Sequence, residues 1–179
     1  MEKINKLKKL IIEFNLDGYI VPKNDEFFGE YIPENKDKLK FIRKKLKELK
    51  IDGYVVPKND EFFSEYAVKD RLKVISNFTG SAGLAIILKN KNYLFVDGRY
   101  TIQAKKESGK LFKIIEIHKF LPHKILNNLT LGFDPSIFTS RQLKIYFNSS
   151  FKLKPLIQNL VDLTFKIRES KIKPFFSIK

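Results

Sequence analysis

The sequence has no cysteine, no tryptophan, one methionine, two histidines and eight glycines in 179 residues. Without cysteine there are no disulfides, no thiolate nucleophile and no cysteine-ligated zinc. The histidines, His118 and His123, lie five apart around Pro122 and do not share a helical face. No acid is placed in sequence to complete a recognised ligand set with them, so they read as strand-end and surface residues. No apolar run approaches the ~20 residues of a membrane span; the longest, Leu84 to Leu88, is strand-sized. Residues 1–14 read as an amphipathic helix interrupted by Glu2 and Glu13, with no small-residue cleavage motif of a secretory signal. These absences predict a cytoplasmic protein with no membrane partner.

Acidic residues are also scarce, 20 against 35 basic ones, for a formal charge of +15. Only five of the basic residues are arginine (Arg43, Arg71, Arg99, Arg141 and Arg168), and the lysines are spread over nearly every element. Bidentate reading of phosphates and guanine edges favours arginine, so this pattern predicts solvated lysine faces and no nucleic-acid partner.

What is present is a duplication. Asp17 to Tyr31 (DGYIVPKNDEFFGEY) and Asp52 to Tyr66 (DGYVVPKNDEFFSEY) agree at thirteen of fifteen positions, 35 residues apart. The preceding helices correspond as well, Ile4, Leu7, Ile11 and Phe14 falling on Leu39, Ile42, Leu46 and Leu49, one helical face in each copy. A stacked repeat array needs about three units, and only two are present. The block is a tandem duplication inside one domain, and the second copy is the better fit to the native strand position, because it runs directly into Asn77 to Gly83.

From Lys38 onward the pattern alternates: helix to Lys50, strand Tyr54 to Val56, helix Asp70 to Ile75, a hairpin of Leu84 to Leu88 with Tyr93 to Val96, and helix Thr101 to Glu107. Strand Phe112 to Ile117, a short helix at Pro122 to Asn127, strand Thr130 to Phe133, a helix from Thr139 or Ser140 to Asn148, strand Lys152 to Leu156 and helix Ile157 to Lys166 follow. The fold class predicted is α/β: a three-layer domain with a mixed, mostly parallel sheet flanked by helices.

No constellation here supports catalysis. Asp25-Glu26 and Asp60-Glu61, with Glu30 and Glu65, place carboxylates beside aromatics, but as turn caps or lysine partners. Gly80-Ser-Ala-Gly83 precedes a strand, not a helix, and lacks the spacing of a nucleophile elbow, which makes it a packed corner. Asp97-Gly-Arg-Tyr100 reads as an internal ion pair fixing a strand-to-helix turn. Catalytic, cofactor-binding and metal-binding residues are therefore all predicted to be none.

Tyr54-Val-Val-Pro57, Ser64-Glu-Tyr66, Arg71-Leu72, Phe78-Thr-Gly-Ser-Ala-Gly83, Asp97-Gly-Arg-Tyr100 with Gln103-Ala104, Gly132-Phe-Asp-Pro135 and Asn159-Leu-Val-Asp162 follow one another in a familiar order. Over residues 39 to 168 the chain resembles the N-terminal domain of aminopeptidase P, the Xaa-Pro aminopeptidase, and through it the N-terminal domains of creatinase and prolidase. The resemblance implies a metallopeptidase family whose C-terminal domain holds two divalent ions, manganese or zinc, with two Asp, one His and two Glu; none of these ligands maps onto this chain. It further implies an arrangement of three parts: residues 1–38 as the duplicated copy, 39–168 as the domain itself, and 169–179 as a linker toward a second domain. The expectation is a non-catalytic domain, a fragment or split-gene product inactive alone, that either works with a separately encoded catalytic part or is the residue of a decaying gene. The alternative is a repurposed module that dimerises or binds a partner through its duplicated strand and aromatic loop.

Overall fold

The computed structural model describes Glu13 and residues 35–63 and 69–169, with side chains as far as Thr164. The chain divides after Ile32, and the architecture that follows is that of the unit Pro33–Lys179. The first repeat copy, including Asp25, Glu26 and Glu30, lies outside the described residues, as do Ser64 to Val68 with Glu65, and the tail from Ser170.

Helix α1 (Asn35–Glu48) buries Leu39, Ile42 and Leu46 and leaves most of its lysines in water. Its end is set by Lys50, whose φ of 54° lies in the left-handed region. The N–H of Ile51 returns to the Leu46 carbonyl at 3.0 Å and that of Lys50 to Lys47 at 3.2 Å, the paired bonds that close a helix before a strand. Strand β1 (Gly53–Pro57) follows, supplied by the second repeat copy and buried throughout. A Cβ on Gly53 would lie 2.9 Å from the Ile87 carbonyl oxygen and within 3 Å of the Leu88 and Leu131 side chains, so the Asp-Gly-Tyr pattern marks a close approach of neighbouring strands.

The chain continues as α2 (Arg71–Ser76), β2 (Gly83–Leu88), β3 (Asn92–Val96), a 3₁₀ turn (Gly98–Tyr100), α3 (Thr101–Ser108), β4 (Lys113–Glu116), α4 (Pro122–Ile125) and β5 (Thr130–Phe133). A second 3₁₀ turn (Pro135–Ile137), α5 (Ser140–Tyr146), β6 (Lys152–Pro155) and α6 (Leu160–Glu169) complete it. The sheet order is β4-β3-β2-β1-β5-β6. β2 pairs antiparallel with both β1 and β3, and every other pairing is parallel, so β2 alone runs against the rest. The β1–β5 register is pinned by Asp52, whose N–H reaches the Thr130 carbonyl at 2.8 Å while its carboxylate accepts the Thr130 N–H at 3.0 Å.

Each face of the sheet carries a core. One joins Tyr54, Val56, Leu72, Phe78 and Leu160 with the apolar stripe of α1, and the other joins Val55, Phe95, Leu131, Ile137 and Phe147. The architecture is the three-layer α/β domain with a mixed sheet that the alternation of elements predicts. Among the described residues, no helix is long and apolar enough to cross a membrane.

Some boundaries differ from the sequence reading: the first helix runs Asn35–Glu48, not Lys38 to Lys50, the helix after Thr139 ends at Tyr146, and the last helix starts at Leu160, not Ile157. Ile157 projects fully into solvent. The side-chain oxygen of Asn159 accepts the Val161 N–H at 3.0 Å, so the helix begins where a side chain can take its first free donors.

Candidate functional site

The polar residues with the most structured surroundings gather toward the carboxyl ends of the parallel strands. Their centre is Arg71, the first residue of α2, whose side chain is only 2% exposed. Its Nε and one Nη grip both oxygens of Asp162 on α6 at 2.7 Å each, a two-point match of guanidinium to carboxylate. The same Nη reaches Glu61 in the loop after β1, and the other Nη is buried with no hydrogen-bond partner among the described residues. The bonds to Asp162 and then Glu61 raise the guanidinium's affinity for its proton still further, and the Arg71 hydrogen bond holds the Glu61 carboxyl below the usual range.

Behind this clamp runs a second buried chain. Asp134, at the end of β5, accepts from the Ser136 N–H at 2.9 Å and from Asn159 Nδ2 at 2.8 Å, while the Tyr54 hydroxyl accepts the Leu160 N–H at 3.3 Å. Burial pushes the Tyr54 phenol well above its ordinary value. β1, α2, β5 and α6 are thus tied together by polar groups that burial would otherwise penalise.

At the end of β3, Asp97 accepts the Arg99 backbone N–H at 3.0 Å, the Arg99 guanidinium at 2.9 Å and His118 Nε2 at 3.0 Å. The Arg99 N–H foremost, then its guanidinium and His118, hold the Asp97 carboxyl far below the carboxylate range. The ion pair expected within Asp-Gly-Arg-Tyr is present, and it recruits an exposed histidine that stands 21 residues away in sequence. His123 Nδ1 lies 3.3 Å from the Tyr146 carbonyl oxygen.

Asp60 is buried and caps the Phe62 N–H at 3.0 Å. Glu61, expected to pair with a lysine if not a cap, pairs with Arg71 instead. The Gly80 corner is packed as expected: a Cβ there would fall 2.2 Å from the Phe78 ring, which is fully buried. Ser81 Oγ lies 2.8 Å from the Tyr100 hydroxyl, with no base beside it in the described hydrogen bonds.

These residues hold shape more than they offer reactivity. Arg71 cannot give up its proton, and its carboxylate partners are committed to it. A pair of divalent ions does not fit the described donor set: Asp97, the carboxylate that faces a histidine among the described residues, already carries a guanidinium that would repel a cation. Among the described residues no three His, Asp or Glu side chains converge as metal ligands. The Arg71–Asp162 clamp escaped the sequence reading because its partners stand 91 residues apart. The available signal was an arginine opening α2 in a chain whose basic residues are mostly lysine.

Residues 38–164 match the model of the creatinase/prolidase N-terminal domain. A Laccaria bicolor protein named Probable Xaa-Pro aminopeptidase P is 31% identical over 90% of this chain, which spans only 22% of that relative. Among solved structures, the X-prolyl aminopeptidase of Caenorhabditis elegans, described as a cytosolic enzyme with a di-nuclear active site, superposes on 77% of this chain and 26% of its own with a TM-score of 0.60 at 23% identity. The creatinase/prolidase-like N-terminal domain of a Corynebacterium diphtheriae protein matches over 69% of this chain and 97% of its own, with a TM-score of 0.55 at 19% identity. With the family model covering most of its length, the chain belongs to the creatinase/prolidase N-terminal domain family, and its curated relatives are Xaa-Pro aminopeptidases.

Proposed function

We propose that this chain is the non-catalytic N-terminal domain of a Xaa-Pro aminopeptidase, a scaffold that works beside the family's catalytic domain. The observation that carries this reading is the reach of the match: it covers the N-terminal domain family and about a fifth of the curated relative's length. The two-metal hydrolysis implied for the family falls to that other domain, which removes residues preceding proline. In this reading the Arg71 clamp keeps the carboxyl-edge loops in place for that neighbour, and the protein works in the cytoplasm. The test is an assay of Xaa-Pro peptide cleavage by the pure 179-residue chain with manganese added. No turnover is expected, and turnover abolished by a chelator overturns the proposal.

A second reading has its own observation. Phe62 is 86% and Phe63 45% exposed in the loop after β1, and Phe120 and Ile157, in the connections after β4 and β6, are exposed as well. Large apolar side chains in several carboxyl-edge loops suit contact with a second copy of this chain. Sedimentation should then show a dimer that Phe62→Ser dissociates; a monomer at all concentrations rejects it.

A further inference from the structure

The opposite edge of the sheet carries a different arginine. Arg43 on α1 is half-buried, and its orientation is fixed by two neutral acceptors: Nε donates to the Leu88 carbonyl at 3.2 Å and one Nη to the Asn92 side-chain oxygen at 3.0 Å. Asn92 is itself held, its Nδ2 donating to the Leu111 carbonyl at 2.8 Å. No carboxylate of the described residues pairs with Arg43. Arg71 and Arg99, by contrast, spend their donors on aspartate or glutamate.

Arg43 lines a groove of about 240 Å³ between α1, the β2–β3 turn and the segment after α3. Among the described residues the groove's other charged side chains are Lys36, Lys91 and Lys110, so four cations face one concavity and none of these lining residues is acidic. Asn90 and Asn92 add amide groups to the wall. Elsewhere on this surface lysines do find acids, as in Lys89–Asp52, Lys58–Asp70 and Lys119–Glu116.

Like charges lining a concavity repel one another and focus a positive potential there, which an anion relieves. A guanidinium already oriented by neutral groups costs little further ordering when it takes an oxyanion. We propose that this groove binds a small, multiply charged oxyanion of the phosphate class, with Arg43 as the fixed donor and Lys36, Lys91 and Lys110 as its charged rim. The site stands on residues remote from the carboxyl-edge clamp, and it holds whether or not the domain has a catalytic partner.

The full chain titrated with inorganic pyrophosphate at physiological salt and followed by backbone amide NMR tests this. The expected result is saturable shifts confined to the groove-lining residues, Lys36, Arg43, Asn90, Lys91, Asn92 and Lys110 among them, with affinity reduced about tenfold in the Lys91→Gln/Lys110→Gln double variant, the loss of two close charges. A control pair, Lys113→Gln/Lys152→Gln, removes the same charge from the two edge strands and should leave affinity unchanged. Shifts spread over all lysine-bearing elements, an equal loss in the control pair, or no saturation overturns the proposal. A single-stranded oligonucleotide that binds the same residues more tightly than pyrophosphate, with a steep salt dependence, overturns it in favour of a nucleic-acid backbone.

Discussion

The two ends of this sheet handle positive charge in opposite ways. At the carboxyl end, Arg71 is almost fully buried and matched by two carboxylates on separate elements, Glu61 after β1 and Asp162 on α6. At the amino end, Arg43 is aligned by a carbonyl and an amide, among lysines that have no acid in the groove. A guanidinium clamped between carboxylates is an internal fastener whose worth is read in stability. One oriented by neutral groups and left with its charge is available to something outside the chain. The lesson is that the partners of an arginine, more than its burial, separate cohesion from recognition.

The strongest way to break this comparison is to remove each arginine in turn. Arg71→Ala should cost about 3 kcal/mol, because it leaves Asp162 and Glu61 facing each other across an emptied space, and Arg43→Ala about 1 kcal/mol, since its acceptors are neutral and water can reach them. Urea denaturation of both variants checks it, and equal losses would erase the distinction. Next in size, Asp162→Asn keeps the shape but takes away the charge opposite Arg71. A loss of about 2 kcal/mol is expected, and Arg71→Lys opposite the native Asp162 should also destabilise, since an ammonium cannot span both carboxylate oxygens.

The acid response sharpens the contrast further. The Arg71 hydrogen bond holds the folded-state Glu61 carboxyl below its unfolded value of about 4.3. A depressed carboxylate contributes stability that is fully present above the unfolded pKa and is lost as pH falls through the folded one. The stability gap between the native protein and Glu61→Gln should therefore be constant above about pH 5 and close as the pH drops below about 4. Lys91→Gln, in a groove without carboxylates, should show no such closure. The smallest effect belongs to that variant: it relieves repulsion among the groove's cations, stabilises by a few tenths of a kcal/mol at low ionic strength, and has no effect at about 1 M salt. Stability curves at two salt concentrations test this.

Much of this architecture could be read from residues in sequence. The apolar stripe of α1, the uninterrupted Tyr-Val-Val and Leu-Ala-Ile-Ile-Leu runs and the Lys-Asn-Lys-Asn turn are local patterns, and each became the element they suggest. The Gly80 corner was equally legible, because its cause, the Phe78 ring two residues away, is close in sequence. The start of α6 was misread by three residues: hydrophobicity drew the boundary to Ile157, whereas Asn159 signals the cap. The candidate site was hardly legible at all. Arg71 and Asp162, or Asp97 and His118, meet only because the sheet brings strand ends together, and hydrophobic periodicity carries no trace of that. The order β4-β3-β2-β1-β5-β6 with one reversed strand was likewise beyond local pattern, since it depends on which distant strands share a ladder.

The pairing of β1 with β5 also bears on how the chain acquires its form on the ribosome. Asp52 and Thr130, whose mutual hydrogen bonds open that pairing, are separated by 78 positions. Until the later strand is translated, one border of β1 stays without its ladder, even after the β2–β3 hairpin has formed on the other. Closure over such a separation is slow, and the nascent chain must shelter an apolar strand in the meantime.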